Sequence, residues 1–285
     1  MIKINIFYDI IDKTENICYN ITSKGDDFMD EKEIISRIQQ KLTEIEEKGD
    51  IKILHCVESG SRSWGFASPD SDFDVRFIYI RKPEFYLKLG KTRDVIEWEL
   101  NDIYDINGWD IQKALRLLHN SNPTVFEWNH SPIVYRTSEN WEKVREIIND
   151  YFLSRTGMNH YLSTARHNYK EYIKGDEVKL KKYFYVLRPI LACRWIMDRG
   201  TPPPMLFSEL MNAELDENLF DPVNKLLEIK MRTSELGTGK RIDVINEYIE
   251  KQFEILKEKL DSMEREEQKS WEKLDELFLS LLKNA

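Results

Sequence analysis

Two apolar runs separated by small and polar residues constrain this chain more than any other feature. Residues 52–57 read as a short buried strand and residues 73–80 as a second. Between them lies Ser59-Gly60-Ser61-Arg62-Ser63-Trp64-Gly65-Phe66-Ala67-Ser68-Pro69-Asp70-Ser71, and the second run is entered through Asp72-Phe73-Asp74-Val75-Arg76. Residues two apart on a strand share a face, so Asp72, Asp74 and Arg76 point one way while Phe73, Val75 and Phe77 point into a core. Aspartate is a poor strand former and neighbouring carboxylates repel, so this face needs either full solvation or a cation.

A polar face on a half-buried strand is ordinary by itself. The turn ahead of it changes its meaning. Gly60 allows the backbone to approach a phosphate closely, the Ser61 and Ser63 hydroxyls can bind phosphate oxygens, and Arg62 can add charge. A phosphate cradle and a pair of carboxylates then come from consecutive strands. Mg²⁺, or Mn²⁺ in its place, suits such a pair, because a hard cation is commonly held by one or two carboxylates together with substrate phosphates.

The surrounding pattern is that of a small α/β layer followed by helices. Residues 30–48 carry Ile34, Ile35, Ile38, Leu42 and Ile45 at helical spacing, with Asp30 and Glu33 in an acidic first turn. Residues 95–106 read as one strand, with Ile96, Trp98 and Leu100 alternating against polar neighbours. Residues 111–118 read as a helix with Asp110 in the N-cap position. From about residue 140 the character is helical, and a stripe through Ile242, Ile249, Phe253 and Leu260, resumed at Trp271, Leu274, Phe278 and Leu281, closes the protein's own bundle. The expected class is α+β: a mixed sheet with helices over residues 30–139 and an all-helical domain over 140–285. Residues 1–29 form a β-hairpin extension in this reading.

Charge and cysteine content narrow the function. With 42 Lys plus Arg against 51 Asp plus Glu the formal charge is −9, which argues against broad, sequence-independent nucleic-acid binding but leaves room for a local basic cleft. Cys18, Cys56 and Cys193 are too far apart and too few for a disulfide framework or a zinc site. No apolar run approaches the roughly 20 residues of a membrane span, and the N-terminus lacks a signal-peptide pattern. The expectation is a cytoplasmic protein without a membrane partner.

Gly60-Ser61 followed by Asp72-Phe73-Asp74-Val75 resembles the hG[GS]…Dh[DE]h signature of the DNA polymerase β nucleotidyltransferase superfamily. The longer blocks GSRSWGFASPDSDFDVRFIYI, DINGWDIQKALRLL, SNPTVFEW, SPIVY and KKYFYVLRPILACRWI, between Ser59 and Ile196, resemble the RNA-repair-pathway polymerase β family of bacteria and phages. The resemblance implies a two-metal site in which Asp72 and Asp74 are joined by a third carboxylate. Asp105, at the end of a strand-like run, is preferred for that role, with Asp110 as the alternative; Asp102 and Glu127 rank below both. Lys181, Tyr185 and Arg188 share a helical face that can clamp a triphosphate and stack on a base, with Lys182 as the alternative clamp. The implied reaction transfers NMP from an NTP, ATP first among them, to an acceptor hydroxyl with release of pyrophosphate. The implied acceptor is an RNA or tRNA 3′ end. A protein or small-molecule acceptor, or a non-catalytic nucleotide-binding regulator, are the competing readings.

Overall fold

The structure, a computed structural model, describes residues 31–232 and 237–283. The expected hairpin at residues 1–29, Cys18 and Asp30 lie outside them. Helix α1 (Glu31–Gly49) leads into strand β1 (Ile51–Glu58), and a single helical turn, α2 (Gly60–Ser63), leads on to β2 (Phe73–Arg81). A turn of helix, α3 (Pro83–Tyr86), precedes β3 (Val95–Leu100) and β4 (Tyr104–Asp110). Helices α4 (Ile111–His119) and α5 (Pro123–Asn129), strand β5 (Val134–Thr137) and helix α6 (Glu139–Ile148) follow.

The five strands form one sheet in the order β3-β4-β2-β1-β5. Strands β1 and β2 are antiparallel, as are β1 with β5 and β3 with β4, while β2 and β4 run parallel. This mixed sheet is the expected α+β class. Where residues 95–106 read as one strand, the chain instead makes a hairpin. Asn101 is the cause: its Oδ1 accepts the backbone N–H groups of Ile103 and Tyr104 at 2.8 and 2.7 Å, and this side-chain turn reverses the chain within an otherwise alternating run.

Each sheet face buries a distinct apolar set. Ile34, Ile38, Leu42 and Ile45 of α1, one stripe of a 3.6-residue period, cover Phe73, Val75, Phe77 and Ile106. The opposite face buries Leu54, Val57, Ile78 and Ile80 under α4, α5 and α6.

The helical part comprises α7 (Ser154–Asn168), α8 (Lys182–Arg199), α9 (Phe207–Glu214), α10 (Phe220–Arg232), α11 (Asp243–Ser262) and α12 (Glu272–Leu282), with a small ribbon of β6 (Glu177–Lys179) and β7 (Thr238–Lys240). Helix α8 is central, and Tyr183, Phe184, Val186, Leu187, Ile190 and Leu191 are all buried. The cores do not divide at residue 140. Trp141, Val144 and Ile148 of α6 and Leu274, Leu277 and Leu281 of α12 belong to the sheet-side core, so the last stripe packs on the α/β layer rather than on the helical bundle as expected. The α11 stripe does join the bundle, through Ile245, Ile249, Phe253 and Leu256. No helix among the described residues is long and apolar enough to cross a membrane.

Candidate active site

The site starts where β1 ends. The Ser59 N–H donates to the Asp74 carbonyl at 2.8 Å, fastening the turn to the first residues of β2. Gly60 lies at φ +62°, and a Cβ placed there would stand 2.0 Å from Asp74 Oδ2. Only glycine permits both that conformation and that approach. The hydroxyl of buried Ser63 donates to the Gly60 carbonyl at 2.8 Å, holding the turn closed from inside, whereas half-buried Ser61 donates to Ser71 Oγ at 3.1 Å. The Arg62 guanidinium lies 3.7 Å over the Phe73 ring and donates to the carbonyls of Ser71 at 2.7 Å and Asp72 at 3.1 Å. It pins the approach to β2 against the turn.

Asp72, Asp74 and Asp105 gather at this end of the sheet. Asp74 and Asp105 are direct neighbours in the parallel β2/β4 pairing, and both, with Arg76, lie on one face. Burial pushes the Asp74 pKa up to about 6, with Asp72 and Asp105 adding to the rise and Arg76 opposing it. Arg76 Nη2 bonds Asp74 Oδ1 at 2.8 Å and Asp105 Oδ2 at 2.6 Å. Asp110 is not among them. It stands five residues further along β4, opposite Tyr79, buried, accepting from the Gln112 N–H at 2.8 Å and from the Tyr86 hydroxyl at 3.0 Å. Those bonds make it the cap of α4.

Beneath the cluster sits Glu58, the last residue of β1. It is fully buried; its Oε1 accepts the Asp74 N–H at 2.9 Å and its Oε2 the Tyr135 hydroxyl at 2.6 Å. Burial raises its pKa to about 7.

The helical part closes the other side. Tyr185 meets the Trp64 ring edge-on at 5.2 Å, and its hydroxyl pKa is raised by burial and then by the charges of Asp74 and Asp72. Lys182 Nζ lies 4.4 Å over the Tyr185 ring, and burial followed by the charges of Lys181 and Lys179 lowers its pKa. Lys181 is exposed beside it. Arg188 does not share their opening as helical spacing predicts. It is 3% exposed, paired with Glu127 at 2.8 Å and 4.8 Å from the Trp64 ring, because α8 is surrounded on all sides.

A cation absent from the sequence reading does belong here. Lys230 of α10 is buried, donates to the Phe66 carbonyl at 2.9 Å, and feels Asp70, Lys181 and Arg62; burial lowers its pKa to about 8. Nothing local marks it, since its partner is 164 residues away. The indole N–H of Trp64 is buried in the same wall without a hydrogen-bond partner among the described residues.

The donor set fits a hard divalent cation, with carboxylate oxygens only and a positive wall suited to phosphates. Among the described residues no three acidic, imidazole or thiol groups converge into a closed cage. The arrangement is an open one.

The sequence profile of the RNA repair pathway DNA polymerase beta family matches residues 34–280. The chain belongs to that family. With it, the chain is of the polymerase β nucleotidyltransferase type. Among curated proteins it is 45% identical over 251 residues to YcgL of Bacillus subtilis, described as uncharacterized, covering 87% of this chain and 96% of that one. It is 24% identical over 124 residues to the tRNA (34-2'-O)-methyltransferase regulator WDR6 of Drosophila melanogaster, covering 42% of this chain and 12% of that protein. A crystal structure of a nucleotidyltransferase-like protein from Exiguobacterium sibiricum aligns over 88% of this chain and 80% of its own, at 13% identity and a TM-score of 0.29.

Proposed function

We propose that this family member is a Mg²⁺-dependent nucleotidyltransferase that transfers NMP from an NTP, with ATP the first candidate, to the hydroxyl at an RNA 3′ end. The observation that carries the reading is the contact between the Gly60 turn and Asp74, with Asp105 alongside on the next strand. It brings a backbone cradle and carboxylates from two strands to one point.

In this reading Asp72, Asp74 and Asp105 would hold the metal, which would supply charge to neutralise the triphosphate and lower the pKa of the acceptor hydroxyl. The N–H groups and Ser61 hydroxyl of the turn bind phosphate oxygens, and Lys181, Lys182 and Lys230 supply positive charge from the helical side. Tyr185 and Trp64 offer ring surface to the base. Arg62 and Arg188 act through position: one pins the approach to β2, the other ties α8 to Glu127 of α5. The acceptor oxygen attacks the α-phosphorus in line, its proton passes to Asp105, and the bond to the departing pyrophosphate breaks. No covalent enzyme intermediate is required.

The test is incubation with Mg²⁺, each α-labelled NTP in turn, and total RNA or total protein, beside Asp74→Ala. Label entering RNA with the wild type alone supports the reading. Label in protein moves the acceptor, and NTP bound without transfer to any acceptor favours a regulatory protein.

A further inference from the structure

Arg76 has a place that none of these roles explains. It lies two residues beyond Asp74 on the same face of β2, and its single nitrogen Nη2 donates at once to Asp74 Oδ1 at 2.8 Å and Asp105 Oδ2 at 2.6 Å. Nη1 donates to the Asp105 carbonyl at 2.6 Å and to the Val75 carbonyl at 3.3 Å. The side chain is 14% exposed, so little water screens these bonds. One nitrogen shared by carboxylates from two strands stands in the position of a bridging cation.

We propose that Arg76 is the resting counter-ion of the carboxylate cluster and competes with the divalent metal, so that metal binding requires the guanidinium to release Asp74 Oδ1. This rests on the metal-dependent reading above. The opposite role is also definable: an arginine that pre-shapes the site would hold both carboxylates ready, and its loss would weaken metal binding.

Three features favour competition. Asp74 divides its oxygens, Oδ2 facing the Gly60 turn and Oδ1 taken by Arg76, so one of the two is engaged by the guanidinium. Asp105 has its Oδ2 on the same nitrogen at 2.6 Å, so both carboxylates of the parallel pair are held by one guanidinium. The guanidinium lies between the Asp74 and Asp105 carboxylates, the place that a cation shared by the two would take. The device has a use. Free metal is held weakly, and a metal carried in by a triphosphate brings the negative charge that gives the displaced guanidinium a new partner.

The test needs no turnover. Mn²⁺ is titrated into the full chain without nucleotide, the free aqua ion being followed by electron paramagnetic resonance, for wild type, Arg76→Gln, Arg76→Lys and Asp74→Ala. Arg76→Gln is expected to bind Mn²⁺ about tenfold more tightly than wild type, the change of one decade that accompanies loss of one competing, partly screened ion pair. Arg76→Lys, which keeps the charge but cannot span both carboxylates and the main chain, falls between them. In thermal melts Arg76→Gln is expected to lose stability in EDTA and to regain more than wild type when Mn²⁺ is added. Equal or weaker Mn²⁺ binding by Arg76→Gln overturns competition and leaves Arg76 a scaffold. Should that variant not fold, Arg76→Lys decides by the same criterion. If Asp74→Ala binds Mn²⁺ like wild type, the metal assignment itself fails and the competition falls with it.

Discussion

Gly60→Ala isolates the contact on which the site is built. The new methyl would stand 2.0 Å from Asp74 Oδ2 and 2.9 Å from its Cγ, where real side-chain contacts do not fall below 3.0 Å. The turn or the carboxylate must therefore move by at least 1.0 Å, the difference between 3.0 and 2.0. A misplacement of that size costs on the order of a hundredfold in rate. The φ of +62° adds backbone strain of about 1–2 kcal/mol for a residue with a Cβ. At about 2–4 °C per kcal/mol for a domain of this size, the melting temperature is expected to drop by roughly 2–8 °C. Gly65→Ala is the matched control. Its φ is +84°, so it carries comparable strain, but its methyl would meet only Leu206 Cδ2, at 3.1 Å. Thermal melts beside single-turnover transfer of labelled NMP should show both variants destabilised and Gly60→Ala alone about a hundredfold slower. Transfer by Gly60→Ala within about threefold of wild type, or equal loss in both variants, would refute the argument that the turn acts by seating Asp74.

Three further outcomes are expected. Asp105→Asn lowers transfer at least about a hundredfold in the labelling assay, while Asp110→Ala keeps transfer and loses about 1 kcal/mol of stability in a denaturant melt, the worth of an N-cap. In EDTA the protein loses stability as pH rises from about 4 to about 7, because Asp74 and Glu58, at about 6 and about 7, hold their protons more tightly folded than unfolded; Glu58→Gln removes the upper part of that decline in melts across pH. Lys230→Met weakens NTP binding about tenfold in a fluorescent-nucleotide displacement titration, by loss of one charge-assisted contact, and unchanged affinity would return Lys230 to a purely structural part.

What the sequence made legible was local. The Gly60 turn and the Asp72, Asp74 and Arg76 face could be read because positive φ demands glycine and a strand alternates with a period of two. Asp110 could be read as a helix cap because it stands immediately ahead of an apolar helical pattern. The misreadings arose where the deciding partner is distant or the period ambiguous. A hairpin turned by Asn101 preserves alternation well enough to pass for one strand. Arg188 has helical spacing with Lys181 and Tyr185, but spacing does not reveal that Glu127 and Met205 enclose it. Glu58 and Lys230 are burials of charge, and burial is a property of the assembled core rather than of any window of sequence.

The return of α12 to the sheet has a cost during biosynthesis. Its Leu274, Leu277 and Leu281 cover the same core as Leu118, Val125 and Trp141, residues made some 130 or more positions earlier. At roughly 5–20 residues per second, the ribosome needs about 6–25 s to reach α12 after completing α6. For that interval the sheet-side layer stands with a greasy flank open to neighbours. A cell making this protein thus carries a nascent chain that invites chaperone holding, and a transcript truncated before α12 yields an aggregation-prone fragment even though every residue of the candidate site has been translated.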